Sequence, residues 1–438
     1  MLRFAGQEAE TEFELIRVGL SEEKKSKPSV KRKPHSYRIS KKRPKIPVLQ
    51  PAWTDDDELQ PDLMRPPPAL DVRSCIDKHE DVQGYSSESD LDRAITCTSQ
   101  ILQTDKTEFL PHTRTLEIRR VFDANRQRLC VGALTSVHFN TRYRMLLTAC
   151  EDSTLAFFKV DGIDNDLLKD RVFEKFPLSS AKFAPDGERA VITGNKSLFR
   201  VYDLETSKET RSSPFMGCLL DEVLNQCEVA SEQPNMIALG TNTSNVYLAD
   251  LRTLEKINVV QTKEELRSFA FAGNGICLTT LDASGQVNIF DLRNRKPRMV
   301  HYWADQASTG GTALGCSSDG RWIACGSDFG FVNVYKWSET VSKTYPEPDK
   351  SITNLRTGVN LLAFHPRSEM IILGSSKARA AVRLYHIQAH QVFENFPLHT
   401  GTLGYPTSVA FSPNGGYLCI GQANGRAALY HIVHYDDY

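Results

Sequence analysis

The chain has 438 residues, a formal net charge of −1 and a hydrophobic content of 40%. This near balance of charge excludes a polycation that coats nucleic acid along its whole length. The N-terminal residues contain no apolar run for secretion, and no stretch of about 18 apolar residues occurs, which excludes a transmembrane helix and predicts an intracellular protein. Ten cysteines without a CxxC pair predict small core residues in a reducing compartment.

The N-terminal part of the chain is predicted to be a disordered tail with two blocks of opposite charge. Residues 24–45 contain eleven Lys or Arg and no acidic residue, whereas residues 46–110 contain five basic and fourteen acidic residues. Such blocks cannot bury enough apolar surface to offset the entropy that ordering costs. The sequence therefore predicts an interaction tail over residues 1–110 and a folded domain over residues 111–438.

The basic block is typical of a nuclear or nucleolar import signal and of an arm that binds RNA phosphates. The two roles are compatible, because the same cations can pair with an import receptor and later with phosphates, in a salt-dependent manner. A solvated linker is the alternative interpretation. The candidate residues are Lys24, Lys25, Lys27, Lys31, Arg32, Lys33, Arg38, Lys41, Lys42, Arg43 and Lys45.

A tryptophan beside four carboxylates follows in the tail. A large aromatic residue in a polar segment is typical of an anchor in a partner's pocket, and the carboxylates would face a basic surface. The sequence therefore predicts a site for a protein partner at Trp53, Asp55, Asp56, Asp57 and Glu58.

Between residues 135 and 434 the chain repeats one pattern seven times. Each repeat has three short apolar strands separated by turns, and the third strands recur 41 to 50 residues apart. This period, without a 3.6-residue periodicity inside each unit, is typical of WD40-type blades with four strands each. The sequence predicts an all-β, seven-bladed WD40-type β-propeller. The residues that close the third strands are Phe158, Tyr202, Ala249, Phe290, Tyr335, Tyr385 and Tyr430.

The turns and the chain ends predict how the ring is built. Asp-Gly or Asn-Gly pairs at residues 186–187, 319–320 and 414–415 favour tight hairpins between the first and second strands. The last repeat lacks an outer strand, and the extended residues 115–121 are predicted to supply it. That pairing would close the ring and remove an open sheet edge.

Motifs for catalysis or for a cofactor are not found: the sequence has no phosphate-binding GxxxxGK[ST] loop, no HExxH and no GxSxG. Two histidine pairs, His386 with His390 and His431 with His434, lie at or beyond strand ends without a nearby cysteine. A zinc site is therefore not predicted, and no cofactor is expected.

The polar signature of WD40 blades is incomplete. An aspartate follows the closing residue in three repeats, at Asp203, Asp250 and Asp291, but Gly-His pairs are absent. We therefore expect the stability of the ring to rest more on apolar packing between blades than on a buried hydrogen-bond network.

Several strings closely resemble one family. They are WIACGSDFGFVNVY at 322–335, LRTGVNLLAFHP at 355–366 and AVRLY at 381–385, together with VHYDDY at 433–438 and PAWTDDD at 51–57. The chain resembles the U3 small nucleolar RNA-associated protein 18 family, whose members are WD40 proteins of the small-subunit processome. The resemblance covers the propeller and parts of the tail.

The resemblance implies a non-enzymatic scaffold in the nucleolus, within the U3 ribonucleoprotein-associated subcomplex that acts in pre-rRNA processing toward 18S rRNA. The implied partners are other WD40 proteins of the processome, with U3 small nucleolar RNA and pre-rRNA bound directly or indirectly. A monomer within a large hetero-complex, without a membrane partner, is expected. Some members carry a Leu-Phe-x-apolar-Asp motif in the tail that recruits the exosome's helicase. The nearest string here, residues 198–203, is predicted to be buried in a strand.

The same fold also serves as a substrate receptor of a ubiquitin ligase or of a chromatin complex, which is the alternative interpretation. Such receptors often hold a peptide over the central channel with a ring of arginines. Arg200, Arg383 and Arg426 are predicted to lie in or near third strands, at solvent-facing positions, without a repeated ring in the loops. An enzymatic propeller is a third alternative, for which no nucleophile–base pair or metal cluster is discernible.

Overall fold

Seven antiparallel sheets of four strands each form the fold. The computed structural model describes residues 109–215, 222–231, 233, 235–272, 275–294, 296–306, 310–398, 403–436 and 438. The first strands of the seven sheets contact one another in a closed ring around a central axis. The prediction of an all-β, seven-bladed propeller is confirmed.

Each blade has its first strand at the axis and its fourth strand at the rim. Blade 1 consists of β2 (Leu134–Phe139), β3 (Met145–Cys150), β4 (Thr154–Lys159) and β5 (Leu167–Val172); blade 2 of β6 (Leu178–Phe183), β7 (Arg189–Gly194), β8 (Arg200–Asp203) and β9 (Glu209–Arg211); blade 3 of β10 (Leu224–Val229), β11 (Met236–Thr241), β12 (Asn245–Asp250) and β13 (Lys256–Gln261). Blade 4 consists of β14 (Leu266–Ala272), β15 (Cys277–Asp282), β16 (Gln286–Asp291) and β17 (Arg298–Ala304); blade 5 of β18 (Gly311–Cys316), β19 (Trp322–Ser327), β20 (Val332–Lys336) and β21 (Lys350–Ile352). Blade 6 consists of β22 (Leu361–Phe364), β23 (Met370–Gly374), β24 (Val382–His386) and β25 (Gln391–Val392); blade 7 of β26 (Pro406–Phe411), β27 (Tyr417–Gln422), β28 (Ala427–Ile432) and, at the rim, β1 (Ile118–Arg120).

The ring is closed by the strand that precedes the first repeat. β1 pairs antiparallel with β28, and Arg119 is aligned with His431 in the register. The backbone N–H of Val121 donates to the carbonyl of Leu429 at 3.0 Å, so the pairing continues beyond the strand. The predicted role of residues 115–121 is therefore confirmed.

The turn glycines adopt the left-handed backbone that the sequence pattern predicts. Gly187, Gly320 and Gly415 have φ values of 73°, 67° and 88°. At Gly415 a second requirement applies, because a Cβ atom would collide with the imidazole of His365 in the neighbouring blade. A side chain there would strain the backbone and also displace blade 6 from blade 7.

The hydrophobic core consists of seven clusters, and each one fills the space between two neighbouring blades. Six of the seven closing residues belong to the cluster that their blade shares with the preceding blade, as Tyr202 does with blade 1 and Tyr430 with blade 6. Because each blade is packed only against its two neighbours, its stability depends on both of them.

A short helix was not predicted. α1 (Trp337–Ser342) follows β20 and lies before the rim strand of blade 5. It belongs to the longest repeat, in which 50 residues separate Tyr335 from Tyr385. Six residues are too few to produce a helical periodicity in the sequence. None of the described helices is long and apolar enough to cross a membrane.

Candidate functional site

The predicted interaction residues of the tail lie outside the described residues. This applies to the eleven basic residues of the block at 24–45 and to the motif from Trp53 to Glu58. Both remain predictions. The candidate surfaces that the structure describes are those of the propeller.

One mouth of the central channel is a cavity of about 510 Å³ formed where loops of blades 1, 2, 6 and 7 meet. Its polar side chains are mostly uncharged, and two of them, Asn360 and Ser376, hydrogen bond to each other at 2.6 Å. Among the described residues that line this mouth, one is charged, Glu151. The mouth can therefore exchange neutral hydrogen bonds with a ligand but is not built to hold an anion. Its polar lining residues are Thr135, Glu151, Ser179, Asn195, Asn360, Ser376 and Thr407.

The three arginines considered for a ligand-binding ring do not line this mouth. They lie in or next to third strands, as predicted: Arg200 in β8, Arg383 in β24 and Arg426 just before β28. Arg200 is only 5% exposed, so its predicted solvent-facing position is wrong. Its guanidinium pairs with Glu209 at 2.6 Å and stacks 4.2 Å from the ring centroid of Phe176, which is a structural role.

A charged pair lies on the innermost strands of blades 2 and 3. The Lys182 ammonium and the Glu228 carboxylate are 2.5 Å apart and partly buried. His138, on the innermost strand of blade 1, accepts a hydrogen bond from the backbone N–H of Phe183 through Nδ1 at 3.3 Å. Burial and the nearby Lys182 lower the pKa of His138 to about 3. The imidazole of His138 is therefore neutral at physiological pH, whereas the neighbouring Lys182 and Glu228 are charged and form an ion pair.

The buried histidines predict acid sensitivity of the fold. Burial lowers the pKa of His365 to about 3, as it does for His138. An unfolded histidine titrates near 6.5 and so binds a proton first as pH falls. Between roughly pH 6.5 and pH 3, each buried histidine should lower the free energy of unfolding by up to about 1.4 kcal/mol per pH unit.

We expect His365→Gln, at a fully buried position, to remove one histidine's share of this slope. Urea denaturation at about pH 7, 6, 5 and 4 measures it. His301→Gln, at a partly exposed position, is the matched control and should keep the wild-type slope. A slope unchanged in the His365 variant would show that the buried imidazole does not control acid unfolding.

Three buried carboxylates accept hydrogen bonds from tyrosines, a feature that the sequence analysis missed. The pairs are Glu222 with Tyr247, Asp305 with Tyr335 and Glu369 with Tyr435, at 2.7, 2.5 and 2.5 Å. The partners are 25, 30 and 66 residues apart, so no local pattern indicates the pairing. A buried polar network thus adds to the apolar packing that we expected to dominate. These acidic groups have structural partners.

The histidine pairs of the sequence also have structural contacts. His386 Nε2 lies 3.2 Å from the carbonyl oxygen of Leu110, and His390 Nδ1 lies 3.1 Å from the hydroxyl of Tyr385. Among the described residues, no group of three or more His, Cys, Asp or Glu could hold a metal ion.

The middle of the string at residues 198–203 is buried, as predicted, and its two ends are half-buried. Phe199, Val201 and Tyr202 are core residues, and the last two lie in β8. A motif in this position cannot be reached by a partner while blade 2 is folded.

Seven relatives of the chain share one name. No protein-family model matches the chain. It is similar to the U3 small nucleolar RNA-associated protein 18 homologs of Arabidopsis thaliana, with 33% identity over 322 residues, and of Mus musculus, with 31% over 325 residues. Each match covers 74% of this chain and 58% of the relative. The Saccharomyces cerevisiae protein of that name is 26% identical over 388 residues, which cover 79% of this chain and 65% of the relative. The chain thus spans less than two thirds of the length of these relatives.

Proposed function

This chain belongs to the U3 small nucleolar RNA-associated protein 18 family, and we propose that it is a non-enzymatic scaffold in ribosome biogenesis. Its proposed place is the U3 ribonucleoprotein-associated subcomplex of the small-subunit processome, where it acts in pre-rRNA processing toward 18S rRNA in the nucleolus. The observation that carries this proposal is the similarity of about three quarters of the chain to proteins of that name from plant, animal and yeast.

The closed propeller supports a role in assembly. Seven blades present two faces and a rim, so one molecule offers several separate surfaces to partners. The buried acidic residues Glu222, Asp305 and Glu369 are engaged by tyrosines, which is consistent with carboxylates that hold the fold together. The proposed partners are other WD40 proteins of the processome, and the protein would act as a monomer within that hetero-complex.

The tail supports the proposal by its charge pattern. We propose a domain organisation of an interaction tail over residues 1–110 and a propeller over residues 111–438. The basic block at 24–45 would direct nuclear import and then contact U3 small nucleolar RNA or pre-rRNA, and the motif from Trp53 to Glu58 would anchor in a protein partner.

Crosslinking and immunoprecipitation of the tagged full chain from cells tests this function. We expect recovery of U3 RNA and of 5′ pre-rRNA together with other processome proteins, in large particles that ribonuclease disrupts. Recovery of ubiquitin-ligase or chromatin subunits without these RNAs would reject the proposal.

A tail variant separates import from RNA contact. Replacing the eleven basic residues of 24–45 by glutamine, with an unrelated import signal appended, is expected to reduce direct RNA crosslinks by about tenfold or more, because the counterion release that drives phosphate binding is lost. The matched control is Trp53→Ala, which should keep the RNA crosslinks. Full crosslinking in the glutamine variant would place the RNA contact elsewhere in the chain or in its partners.

A further inference from the structure

A groove of about 540 Å³ lies between blades 1 and 2, away from the central channel. Its floor contains Phe157 of β4 and Met145 of β3, which pack into the cluster shared by these blades. The side chains of Tyr143 and Leu168 line it from blade 1 and are 48% and 51% exposed. A cavity of this volume can hold a ligand as large as several amino-acid side chains.

The groove is held open by the framework around it. The ring of Phe157 packs at 5.9 Å from that of Phe183 and at 5.7 Å from that of Tyr202, measured between centroids. A bulge between β4 and β5 interrupts the register next to Leu168. Lys169 reaches from β5 to the hydroxyl of Ser207 in blade 2 and so ties the two blades together beside the groove. The floor is therefore present before any ligand binds.

The turns of blade 2 give the groove an acidic border. Glu188 and Glu205 line it and are exposed, and among the described residues neither carboxylate forms an ion pair. Their turns are fixed by Asp186 and Asp203, whose side chains accept hydrogen bonds from the backbone N–H groups of Glu188 and Glu205 at 3.0 and 2.9 Å.

One cation belongs to the lining as well. Lys169 is engaged by Ser207, and its ammonium lies 5.7 Å from the ring centroid of Tyr202. The charged lining residues are therefore one lysine and two glutamates, a net charge of −1. Arg142 lies near Gly187 at one end but does not line the groove. A ligand that complements this border therefore carries a cation close to an apolar group.

We propose that this groove binds an extended peptide segment of a partner protein, in which a large apolar side chain stands next to a lysine or arginine. The apolar side chain would cover Phe157, Met145 and Leu168, and the cation would face Glu188 and Glu205. Apolar burial gives such a contact most of its affinity, and the charges give it specificity and salt dependence. This inference depends on the groove alone and stands apart from the function proposed above.

Selection from a phage-displayed library of random 12-residue peptides on the full chain tests the proposal. The enriched peptides are expected to share a Leu, Phe, Trp or Met within two positions of a Lys or Arg. A synthetic copy of the leading peptide, labelled with fluorescein, then gives the dissociation constant by anisotropy.

Two groove variants, each with a matched control, assign the binding site. Leu168→Asp and the double charge reversal Glu188→Lys with Glu205→Lys should each weaken the leading peptide by about tenfold or more. The two control variants should leave binding unchanged. They are Val300→Asp, at a rim position of blade 4 that is 54% exposed, and the double variant Glu264→Lys with Glu347→Lys, at other exposed sites. Equal thermal unfolding of all four variants shows that the ring is intact.

Any of four results would overturn the proposal, and the first three concern the selected peptides. These three are the absence of a shared motif among the enriched peptides, a motif without the cation or the apolar residue, and full binding by the two groove variants. Tighter binding of a peptide of this chain's own residues 41–50 than of any selected peptide would also overturn it, because the occupant would then be the tail and not a partner.

Discussion

A chain that begins at Phe122 is expected to lose cooperative folding, whereas a chain that begins at Phe109 should unfold like the full-length protein. The shorter chain lacks β1, so β28 becomes an unpaired rim strand. It also lacks the buried side chains of Leu110, Leu116 and Ile118 in the cluster between blades 6 and 7. Each such side chain contributes about 1.5–3 kcal/mol, and the sum is comparable to the whole stability of a typical domain, about 5–15 kcal/mol.

Polar contacts add to this loss. The side chain of Asn395 in blade 6 accepts from the backbone N–H of Leu116 at 3.1 Å and donates to its carbonyl at 2.6 Å. Without residues 109–121 the partly buried amide of Asn395 loses both of these partners, and the edge of β28 is exposed, which favours association between molecules.

Circular dichroism during heating, together with size-exclusion chromatography, measures the outcome. The chain that begins at Phe109 is the matched control for removal of the tail. A synthetic peptide of residues 109–121, added to the shorter chain, should restore part of the thermal transition by pairing with β28. A sharp, unchanged transition in the shorter chain alone would mean that the ring does not need this closure.

Tyr435→Ala is expected to lower the free energy of unfolding by about 3–5 kcal/mol, the usual cost of deleting a buried aromatic side chain. The ring of Tyr435 lies 4.1 Å from that of His365, measured between centroids, and its hydroxyl donates to Glu369 Oε2 at 2.5 Å. Burial, reinforced by Glu369, raises the pKa of the Tyr435 hydroxyl far above its ordinary value, so the hydroxyl remains a donor. The residue thus ties the segment after β28 to blade 6.

The smaller change Tyr435→Phe isolates the hydrogen bond. It should cost about 1–3 kcal/mol, because the buried Glu369 carboxylate loses its donor. Urea denaturation at neutral pH measures both variants, and Tyr405→Phe, at an exposed position, is the control that should change by less than about 0.5 kcal/mol. In a double-mutant cycle with Glu369→Gln, a coupling energy near zero would show that the contact does not contribute to stability.

Much of the fold follows from local features of the sequence. Three such features are the period of the strands, the Asn-Gly and Asp-Gly turns and the incomplete last repeat. Each depends on residues close together in the chain, and together they predict seven blades and closure by residues 115–121. The helix α1 is the exception, because its six residues interrupt a repeat without a periodicity of their own. The predicted sites of the tail, the basic block and the motif at Trp53, remain predictions because they lie outside the described residues.

The sequence by itself determined the number of blades, the turn glycines and the strand that closes the ring, because backbone hydrogen bonding and alternating burial leave a short-range pattern. Only the tertiary structure decided which side chains meet between blades. The tyrosine–carboxylate pair of Tyr435 and Glu369 spans 66 residues, Arg200 is buried against Phe176, and the groove beside Leu168 forms from two separate blades. Such contacts depend on how neighbouring blades pack, and a residue's sequence neighbours do not specify that packing.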